Sequence, residues 1–400
     1  MVFRTTILLL ALVVGVMPQP GERRPVLRPV LGACATFAPD GTSIGVSIDA
    51  DNVSLEIAQP SGAASHLSMA LSQLISTTPL EHGATYLCNA YVDLNGGLVA
   101  VGISRRFSNS GQLQVAVANL RSLTWIGEWT VARESGFYSP SLAGFLEGTN
   151  SLAVAGEPSA RDHRGIQHGS FATLLFDPTG KQLMPVPTTR IYAHETELFP
   201  TYADARHNRL WFVRSDPIPK PDSRQPLSPV GSVTLVGDEP KSSEFTPSIQ
   251  GKKRSDLWFL PGTFASPDFN TILVAAGDTV WRVDMHAQTV DHLALPKRAH
   301  FPRFDEIHGT AAISPDGQVI AVPMTRHAVA FPYLMDNYVY KGTDIAVVRV
   351  SPLQLLAILP QEGAPGLVAF AVDHRQGTVT VLFYRQDHWE RHELDATLRP

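Results

Sequence analysis

The sequence carries little charge and lacks most of the short motifs by which enzymes are recognised. Charged side chains make up 17% of its 400 residues, and the formal net charge is −5. Lysine and arginine are dispersed, which argues against the basic stripe that nucleic-acid binding requires. A P-loop, a His-Glu-x-x-His zinc motif and a Gly-x-Gly-x-x-Gly nucleotide motif are all absent. No nucleic acid and no bound cofactor are therefore expected.

Long apolar runs are also missing, except at the N-terminus. Arg4 precedes an apolar run from Thr5 to Met17, and Pro18 follows it. A helix of this length spans about 20 Å, whereas the hydrocarbon core of a membrane is about 30 Å thick. We expect residues 1–20 to be a secretory signal peptide, and the protein to be secreted or periplasmic. Because no Ala-x-Ala cleavage site is present, an uncleaved N-terminal anchor is the alternative.

The rest of the sequence contains a repeated unit. A short apolar run, a tight turn and a second apolar run recur, most clearly in 35–46, 263–274 and 311–322. Proline and aspartate favour the first positions of such a turn, and glycine tolerates its positive φ. With weaker copies included, turns are predicted at intervals of roughly fifty residues, at Asp40, Asn95, Gly148, His207, Asp268, Asp316 and Gln376.

A second hairpin follows several of these turns, as in residues 113–124, 279–290 and 345–356. Two hairpins give four strands in about fifty residues, which is typical of a propeller blade. We therefore predict an all-β fold: a β-propeller of about seven four-stranded blades, forming one domain over residues 25–400. A monomer is expected.

Two segments resemble a known family of repeats. The turn Ser314-Pro315-Asp316-Gly317 and the hairpin Val280-Trp281-Arg282-Val283-Asp284 resemble bacterial WD40-like, YVTN-type propeller repeats. The resemblance covers nearly the whole chain after about residue 30, although no Trp-Asp dipeptide closes a unit. It implies the propeller fold. Because many propeller families share these turns, it implies little about function.

The last unit is one strand short. Residues 367–372, 378–383 and 388–394 account for three strands. We expect residues 25–30, which precede the first unit, to supply the missing outer strand and close the ring. The alternative is that these residues form a linker after the signal segment.

Two cysteines, Cys34 and Cys88, lie near the start of the first strand in units 1 and 2. Export would place them in an oxidising compartment, where a disulfide is stable. However, the inner strands of adjacent blades usually diverge beyond the roughly 7 Å that a disulfide spans. Two buried free thiols are therefore the favoured expectation, and a disulfide is the alternative.

Loop lengths predict two unlike faces of the propeller. The third-to-fourth strand turns are short, whereas the second-to-third strand loops on the opposite face include four insertions, at 105–111, 157–169, 215–231 and 325–342. Long loops cost ordering entropy and often persist where they bind something. Neutral drift of surface loops is the alternative.

On the long-loop face we expect a cluster of candidate ligand-binding side chains. They are His194, Glu195, Glu197, Asp305, Glu306 and His308 in connections between units, and Tyr333, Tyr338 and Tyr340 in the last insertion. Exposed aromatic rings are costly unless they bind a partner or cap the channel. The acidic and histidine residues suit a divalent cation or acid–base work, or they are polar loop residues that bond each other.

The favoured function is an exported, non-enzymatic propeller that binds a protein, peptide or glycan through the long-loop face. The alternative is a lactonase-type hydrolase with a divalent cation at the channel mouth. A purely structural surface protein is a third possibility.

Overall fold

The computed structural model describes residues 31–74, 86–93, 95–105, 112–131, 141–146, 150–156, 172–186, 197–204, 209–215, 230–234, 241–245, 262–265, 271–276, 279–284, 289–296, 311–329, 338–361, 369–385 and 388–395. Within these ranges, 27 strands form seven antiparallel sheets, which we number 1 to 7 in chain order.

The strands of the first four sheets are as follows. Sheet 1 contains β1 (Gly32–Phe37), β2 (Ser43–Ile48), β3 (Asn52–Ala58) and β4 (Ala64–Ala70), followed by the single helical turn α1 (Leu71–Leu74). Sheet 2 contains β5 (Tyr86–Val92), β6 (Leu98–Arg105), β7 (Leu113–Asn119) and β8 (Thr124–Val131). Sheet 3 contains β9 (Ser141–Leu146), β10 (Ser151–Gly156), β11 (Ala172–Phe176) and β12 (Gln182–Val186). Sheet 4 contains β13 (Glu197–Asp204), β14 (Arg209–Ser215), β15 (Val230–Thr234) and β16 (Lys241–Phe245).

The remaining three sheets follow the same plan. Sheet 5 contains β17 (Gly262–Ala265), β18 (Thr271–Ala276), β19 (Thr279–Asp284) and β20 (Thr289–Ala294). Sheet 6 contains β21 (Ala312–Ile313), β22 (Val319–Val329), β23 (Tyr338–Arg349) and β24 (Gln354–Gln361). Sheet 7 contains β25 (Phe370–Arg375), β26 (Thr378–Arg385) and β27 (His388–Asp395).

Every sheet is an antiparallel meander in which strands adjacent in sequence pair with each other. This confirms the prediction of an all-β chain built from four-stranded units. The seven predicted turn positions all fall between the first and second strands of their sheets. The turn residues in the sequence therefore located the seven repeat units correctly.

The turn of sheet 1 shows why these residues mark the units. Asp40 accepts a hydrogen bond from the Thr42 amide at 2.9 Å, and the Gly41 amide donates to the Ala38 carbonyl at 2.9 Å. Gly41 has a φ of +88°, which a side chain would strain. In sheet 6, Gly317 occupies the equivalent place with a φ of +72°.

Successive sheets pack against each other through apolar side chains of their strands. Shared cores join sheets 1 and 2 (Ile44 with Val101), 2 and 3 (Val117 with Leu152), 5 and 6 (Val280 with Ile320), and 6 and 7 (Val319 with Val381). The first strands β9, β13 and β17 contact one another in turn, which connects sheets 3, 4 and 5. Both sides of the middle strands are thus buried where side chains are described, in sheets 1, 2 and 6, as in a stack of blades.

The first and last described sheets also meet. Phe37 of sheet 1 lies in one apolar cluster with Leu382 of sheet 7, and β1 contacts both β5 and β25. The series of sheets therefore returns to its starting point. This arrangement supports a β-propeller.

We define two faces from this topology. The plain face is formed by the sheet ends that carry the first-to-second and third-to-fourth strand turns. The long-loop face is formed by the opposite ends, which carry the second-to-third strand connections and the connections between sheets.

Turns of the plain face bind each other where sheets 6, 7 and 1 meet. The Asp316 carboxylate lies 2.7 Å from Nδ1 of His374, which joins sheets 6 and 7. Arg375 of sheet 7 donates from Nη2 to the carbonyl oxygens of Ala38 (3.2 Å) and Pro39 in sheet 1. These polar contacts stabilise the rim of the junction, while Phe37 and Leu382 pack in its apolar interior.

The expectation of two free thiols is wrong, because Cys34 and Cys88 form a disulfide with a Cα–Cα distance of 5.4 Å. Their strands, β1 and β5, do not diverge at this point. The Tyr86 amide donates to the Leu31 carbonyl at 2.8 Å, which joins the starts of the two strands directly. Gly32 permits the approach, since a Cβ there would lie 2.8 Å from the Tyr86 carbonyl oxygen.

A bulge in the outer strand of sheet 2 sends side chains toward both neighbouring sheets. The register between β7 and β8 shifts at Ile126, and a bulge of this kind re-aims the residues beside it. Trp125 packs with the core of sheets 1 and 2, and its Nε1 donates to the Ser68 carbonyl at 3.2 Å. Trp129 instead packs with the core of sheets 2 and 3, with its ring 6.0 Å from that of Phe176.

Sheet 7 has three strands in the described part of the chain, as predicted. Residues 25–30, the predicted fourth strand, lie outside the described residues, as does the predicted signal segment, residues 1–20. Among the residues that are described, no helix is long and apolar enough to cross a membrane.

Candidate binding face

The strand bounds reproduce the predicted difference between the two faces. On the plain face, third-to-fourth strand connections are short throughout, at 59–63, 120–123, 177–181, 235–240, 285–288 and 350–353. On the long-loop face, four second-to-third strand connections are extended, at 106–112, 157–171, 216–229 and around 330–337. The candidate site is therefore the long-loop face.

Hydrogen bonds to turn carboxylates explain why the plain face stays compact. Asp177 accepts from the Thr179 hydroxyl at 2.7 Å and from the Lys181 amide at 3.0 Å. The Thr179 hydrogen bond, more than any other contact, lowers the pKa of the Asp177 carboxyl. A turn closed on itself in this way leaves few polar groups for a ligand.

Three of the nine predicted site residues have described backbone positions. Glu197 is the first residue of β13 and pairs with Ser215, which places it at the long-loop end of sheet 4. Tyr338 and Tyr340 begin β23, at the long-loop end of sheet 6. The other six lie outside the described residues: His194, Glu195, Asp305, Glu306, His308 and Tyr333.

The aromatic insertion of sheet 6 differs from the predicted loop. Within 325–342, β22 continues to Val329 and β23 already begins at Tyr338, so most of the predicted loop is a two-stranded ladder. Tyr338 pairs with Val329, and Tyr340 pairs with His327. Aromatic and β-branched residues favour such cross-strand pairs, which is the signal in the sequence that the loop prediction overlooked. We call residues 325–329 and 338–342 the ribbon.

A wholly buried carboxyl group lies at the base of the ribbon. Asp344 has no exposed surface and sits in β23 between Met324 and Pro360. Burying a carboxyl costs free energy that hydrogen bonds or charges must offset. Sequence analysis missed this residue, although an acid directly before the apolar run 345–348 is the kind of signal that could have found it.

The search for enzyme motifs overlooked residues 41–45, Gly-Thr-Ser-Ile-Gly, which match the nucleophile motif Gly-x-Ser-x-Gly. In hydrolases the serine of this motif stands exposed on a strand-to-helix turn. Here Ser43 begins a β-strand, is buried, and donates its hydroxyl to the Ala58 carbonyl at 3.2 Å. Ser43 therefore lacks the setting of a nucleophile, because it is neither exposed nor next to a helix, and its hydroxyl instead stabilises the pairing of β2 with β3.

We expect the free energy of unfolding to fall at high pH because of Tyr91. It is half-buried in β5 against the core of sheets 2 and 3, and burial raises its pKa from 10.0 to about 12. The folded state then holds the phenol proton more tightly than the unfolded chain does. The contribution of Tyr91 to the free energy of unfolding is therefore fully present below pH 10 and is lost as the pH rises toward 12.

The free energy of unfolding, measured with urea at several pH values between 9 and 12, will test this expectation, because this range includes both the ordinary and the raised pKa of Tyr91. The Tyr91→Phe variant should lose the part of the pH dependence that wild type shows in this range. Equal slopes in the two proteins would contradict the assignment.

Across the described ranges, no three His, Cys, Asp or Glu side chains are grouped so as to hold a metal ion. The residues predicted for the alternative cation site are outside those ranges, apart from the backbone of Glu197. The described residues therefore do not test the lactonase-type alternative.

Comparisons with known proteins find only distant similarity. No protein-family model matches the chain, and no curated protein matches it. A chain of a mitotic checkpoint complex is 14% identical, with 95% of this chain and 96% of that chain covered and a TM-score of 0.44. The hydrazine synthase of Kuenenia stuttgartiensis is 11% identical, with 95% and 99% covered and a TM-score of 0.48. The Dos1 propeller is 10% identical, with 88% and 76% covered and a TM-score of 0.42. These similarities are too remote to assign a function.

Proposed function

We propose that this protein is an exported, seven-bladed, WD40-like β-propeller that binds a protein, peptide or glycan through its long-loop face without catalysing a reaction. The observation that carries the proposal is the difference between the two faces. The plain face carries only short turns, whereas the four extended second-to-third strand connections all lie on the long-loop face. Such connections are costly to order and are often retained because they bind a partner.

The disulfide supports export. Cys34 and Cys88 join strands from different sheets, and a structural bridge of this kind persists in oxidising compartments such as the periplasm or the extracellular space. The apolar run 5–17 is consistent with a signal segment that would direct the chain there.

The count of three strands in the described part of sheet 7 supports closure by residues 25–30. Sheets 1 to 6 have four strands each, whereas β27 has no outer neighbour among the described residues. The Leu31 amide donates to the Ile48 carbonyl of sheet 1, so residues 25–30 directly precede the sheet that adjoins sheet 7. A fourth strand beside β27 would give sheet 7 the same number of strands as the other sheets and would close the ring.

Photo-crosslinking from the two faces will test the proposed binding role. A photoreactive residue replaces Tyr338 or Tyr340 on the long-loop face, or Arg121 or Thr179 on the plain face, in protein expressed in its native source. We expect partner adducts from the first pair and few from the second, because only the first pair lies among the extended connections. Equal labelling from both faces, or none from either, would contradict the proposal.

A further inference from the structure

The apolar core between sheets 1 and 7 is much smaller than the other described cores. The clusters that join sheets 1 and 2, 2 and 3, 5 and 6, and 6 and 7 contain 16, 11, 9 and 9 buried residues. The cluster that joins sheets 7 and 1 contains three, which are Phe37, Ala371 and Leu382. Because apolar burial is the main stabilising contribution to a packed interface, this junction gains the least from it among those whose side chains are described.

The small core follows from the residues that the middle strands direct toward the junction. On their other sides, β2 and β26 are apolar and buried: Ile44, Val46 and Ile48 face sheet 2, and Val379, Val381 and Phe383 face sheet 6. Successive side chains of a strand point to opposite faces. The residues directed toward the junction are mostly small or polar: Ser43, Gly45 and Ser47 in β2, and Thr378, Thr380, Leu382 and Tyr384 in β26. Two faces of this kind bury little apolar area against each other.

Polar contacts hold much of this junction instead. Arg375 of sheet 7 donates from Nε to the Asp373 carboxylate at 2.7 Å and from Nη2 to the Ala38 carbonyl of sheet 1 at 3.2 Å. When the sheets separate, bonds to water replace such contacts, so their net contribution is small. The Nε1 donor of Trp389 is buried here without a hydrogen-bond partner among the described residues, and an unpaired buried donor favours contact with water.

The junction of sheets 1 and 7 also differs in how the chain passes it. These two sheets lie at opposite ends of the described chain, whereas the other neighbouring sheets follow each other directly in sequence. The strand proposed for residues 25–30 would be the one covalent link across the junction. Since each sheet pairs within itself, opening here requires none of the described strands to unpair.

We propose that the ring opens and recloses at the junction of sheets 1 and 7, at a lower free-energy cost than at the other junctions whose side chains are described. In the open state, water contacts the small and polar residues of β2 and β26, while the larger apolar cores stay intact. Local opening of this kind is a recognised source of conformational change in folded proteins. The inference concerns the ring itself and does not depend on the proposed binding role of the long-loop face.

Cysteine labelling of the full, folded chain with iodoacetamide will test the inference. Ser43→Cys and Thr380→Cys place thiols on the two sides of the junction, at positions that are 2% and 6% exposed. The control variants Ala118→Cys and Ala321→Cys place thiols at fully buried positions in the core of sheets 1 and 2 and in that of sheets 6 and 7. The native cysteines form a disulfide and do not compete for the reagent.

We expect both junction thiols to react at least about tenfold faster than both control thiols, measured by mass spectrometry under native conditions. This ratio corresponds to an opening free energy that is lower by about 1.4 kcal/mol. Urea unfolding of each variant will correct the rates for any change in global stability.

Removal of the polar contact at the rim should accelerate labelling at this junction specifically. Arg375→Ala deletes the donor to the Ala38 carbonyl. Combined with Ser43→Cys, it should raise the labelling rate at least about threefold, which is the effect of losing a hydrogen bond of modest net strength. Combined with Ala118→Cys, it should leave the rate unchanged.

Arg282→Ala is the matched control, because Arg282 makes the same kind of contact between sheets 5 and 6. It donates from Nη1 to the Val350 carbonyl at 3.0 Å and pairs with Asp291 at 3.2 Å. Its loss should not change the labelling rate of Ser43→Cys.

Equal labelling of junction and core thiols would show that the junction opens only with global unfolding, and would overturn the inference. Fast labelling on one side alone would overturn it too, because separation of the sheets must expose both Ser43→Cys and Thr380→Cys. An equal acceleration by Arg282→Ala would show that the effect is general rather than local to this junction. Photo-crosslinking tests the binding role independently, so either proposal can fail while the other stands.

Discussion

Replacing both cysteines by alanine should lower the free energy of unfolding by about 4 kcal/mol. The disulfide between Cys34 and Cys88 closes a loop with a sequence separation of 54 residues. In the chain-entropy model, a crosslink over a loop of this length stabilises the folded state by about 4 kcal/mol, mainly by restricting the unfolded chain. Urea unfolding monitored by circular dichroism will measure the difference.

The control separates loss of the crosslink from loss of packing. Cys34 is buried in the core of sheets 1 and 2, so an alanine there also removes some apolar contact. Wild type reduced with dithiothreitol keeps both sulfur atoms and loses only the bond, and it should show most of the same destabilisation. Reactive thiols in the native, unreduced protein would instead show that the bridge does not form.

The second large effect is expected at the junction of sheets 1 and 7. Gly45 lies in β2, and the indole ring of Trp389 in β27 occupies the space that a Cβ at Gly45 would need. A Gly45→Ala substitution must push this ring out of the junction. Overpacking of this kind costs typically about 1 to 3 kcal/mol, and we expect the upper end because Trp389 also packs edge-on against Tyr384 at 5.1 Å.

A matched glycine shows what the same change does in open space. The nearest atoms to a Cβ at Gly97 are carboxylate oxygens of Asp93 at 3.9 Å, an ordinary contact. Gly97→Ala should therefore change stability by no more than about 0.5 kcal/mol. Thermal and urea unfolding of both variants will provide the comparison.

A double-mutant cycle makes the test specific for the pair. In a Trp389→Ala background the space beside Gly45 is free, so the added methyl group should cost little there. A coupling energy of about 1 kcal/mol or more would confirm direct contact across the junction. Additive effects would show that sheets 1 and 7 do not meet as the structure has them.

The sequence predicted local features best. Turn chemistry such as Asp40 before Gly41 acts over four residues, so it located the first hairpin of each unit without knowledge of its neighbours. Alternating apolar residues likewise predicted the second hairpins. The same patterns misjudged residues 325–342, because a long connection and a long ladder contain equal numbers of residues and differ only in whether the two halves pair.

The candidate site was predicted only as a face. Loop lengths follow directly from where the strands end, and they identified the long-loop face and placed Glu197, Tyr338 and Tyr340 on it. The burial of Asp344 was not predicted, because it depends on β22 and β24 pairing on either side of β23. Likewise the match at Ser43 could be rejected only when its hydrogen bond to Ala58 was known.

The amino-acid sequence by itself determined the repeat and the antiparallel units, since each depends on interactions between residues close in the chain. The tertiary structure decided the disulfide, the contact between the first and last sheets, and the long ladder between β22 and β23. Each of these depends on distances between residues far apart in sequence, such as the close approach that Gly32 permits between β1 and β5. Turn and strand propensities contain no information about such distances, because they describe only how the chain folds locally.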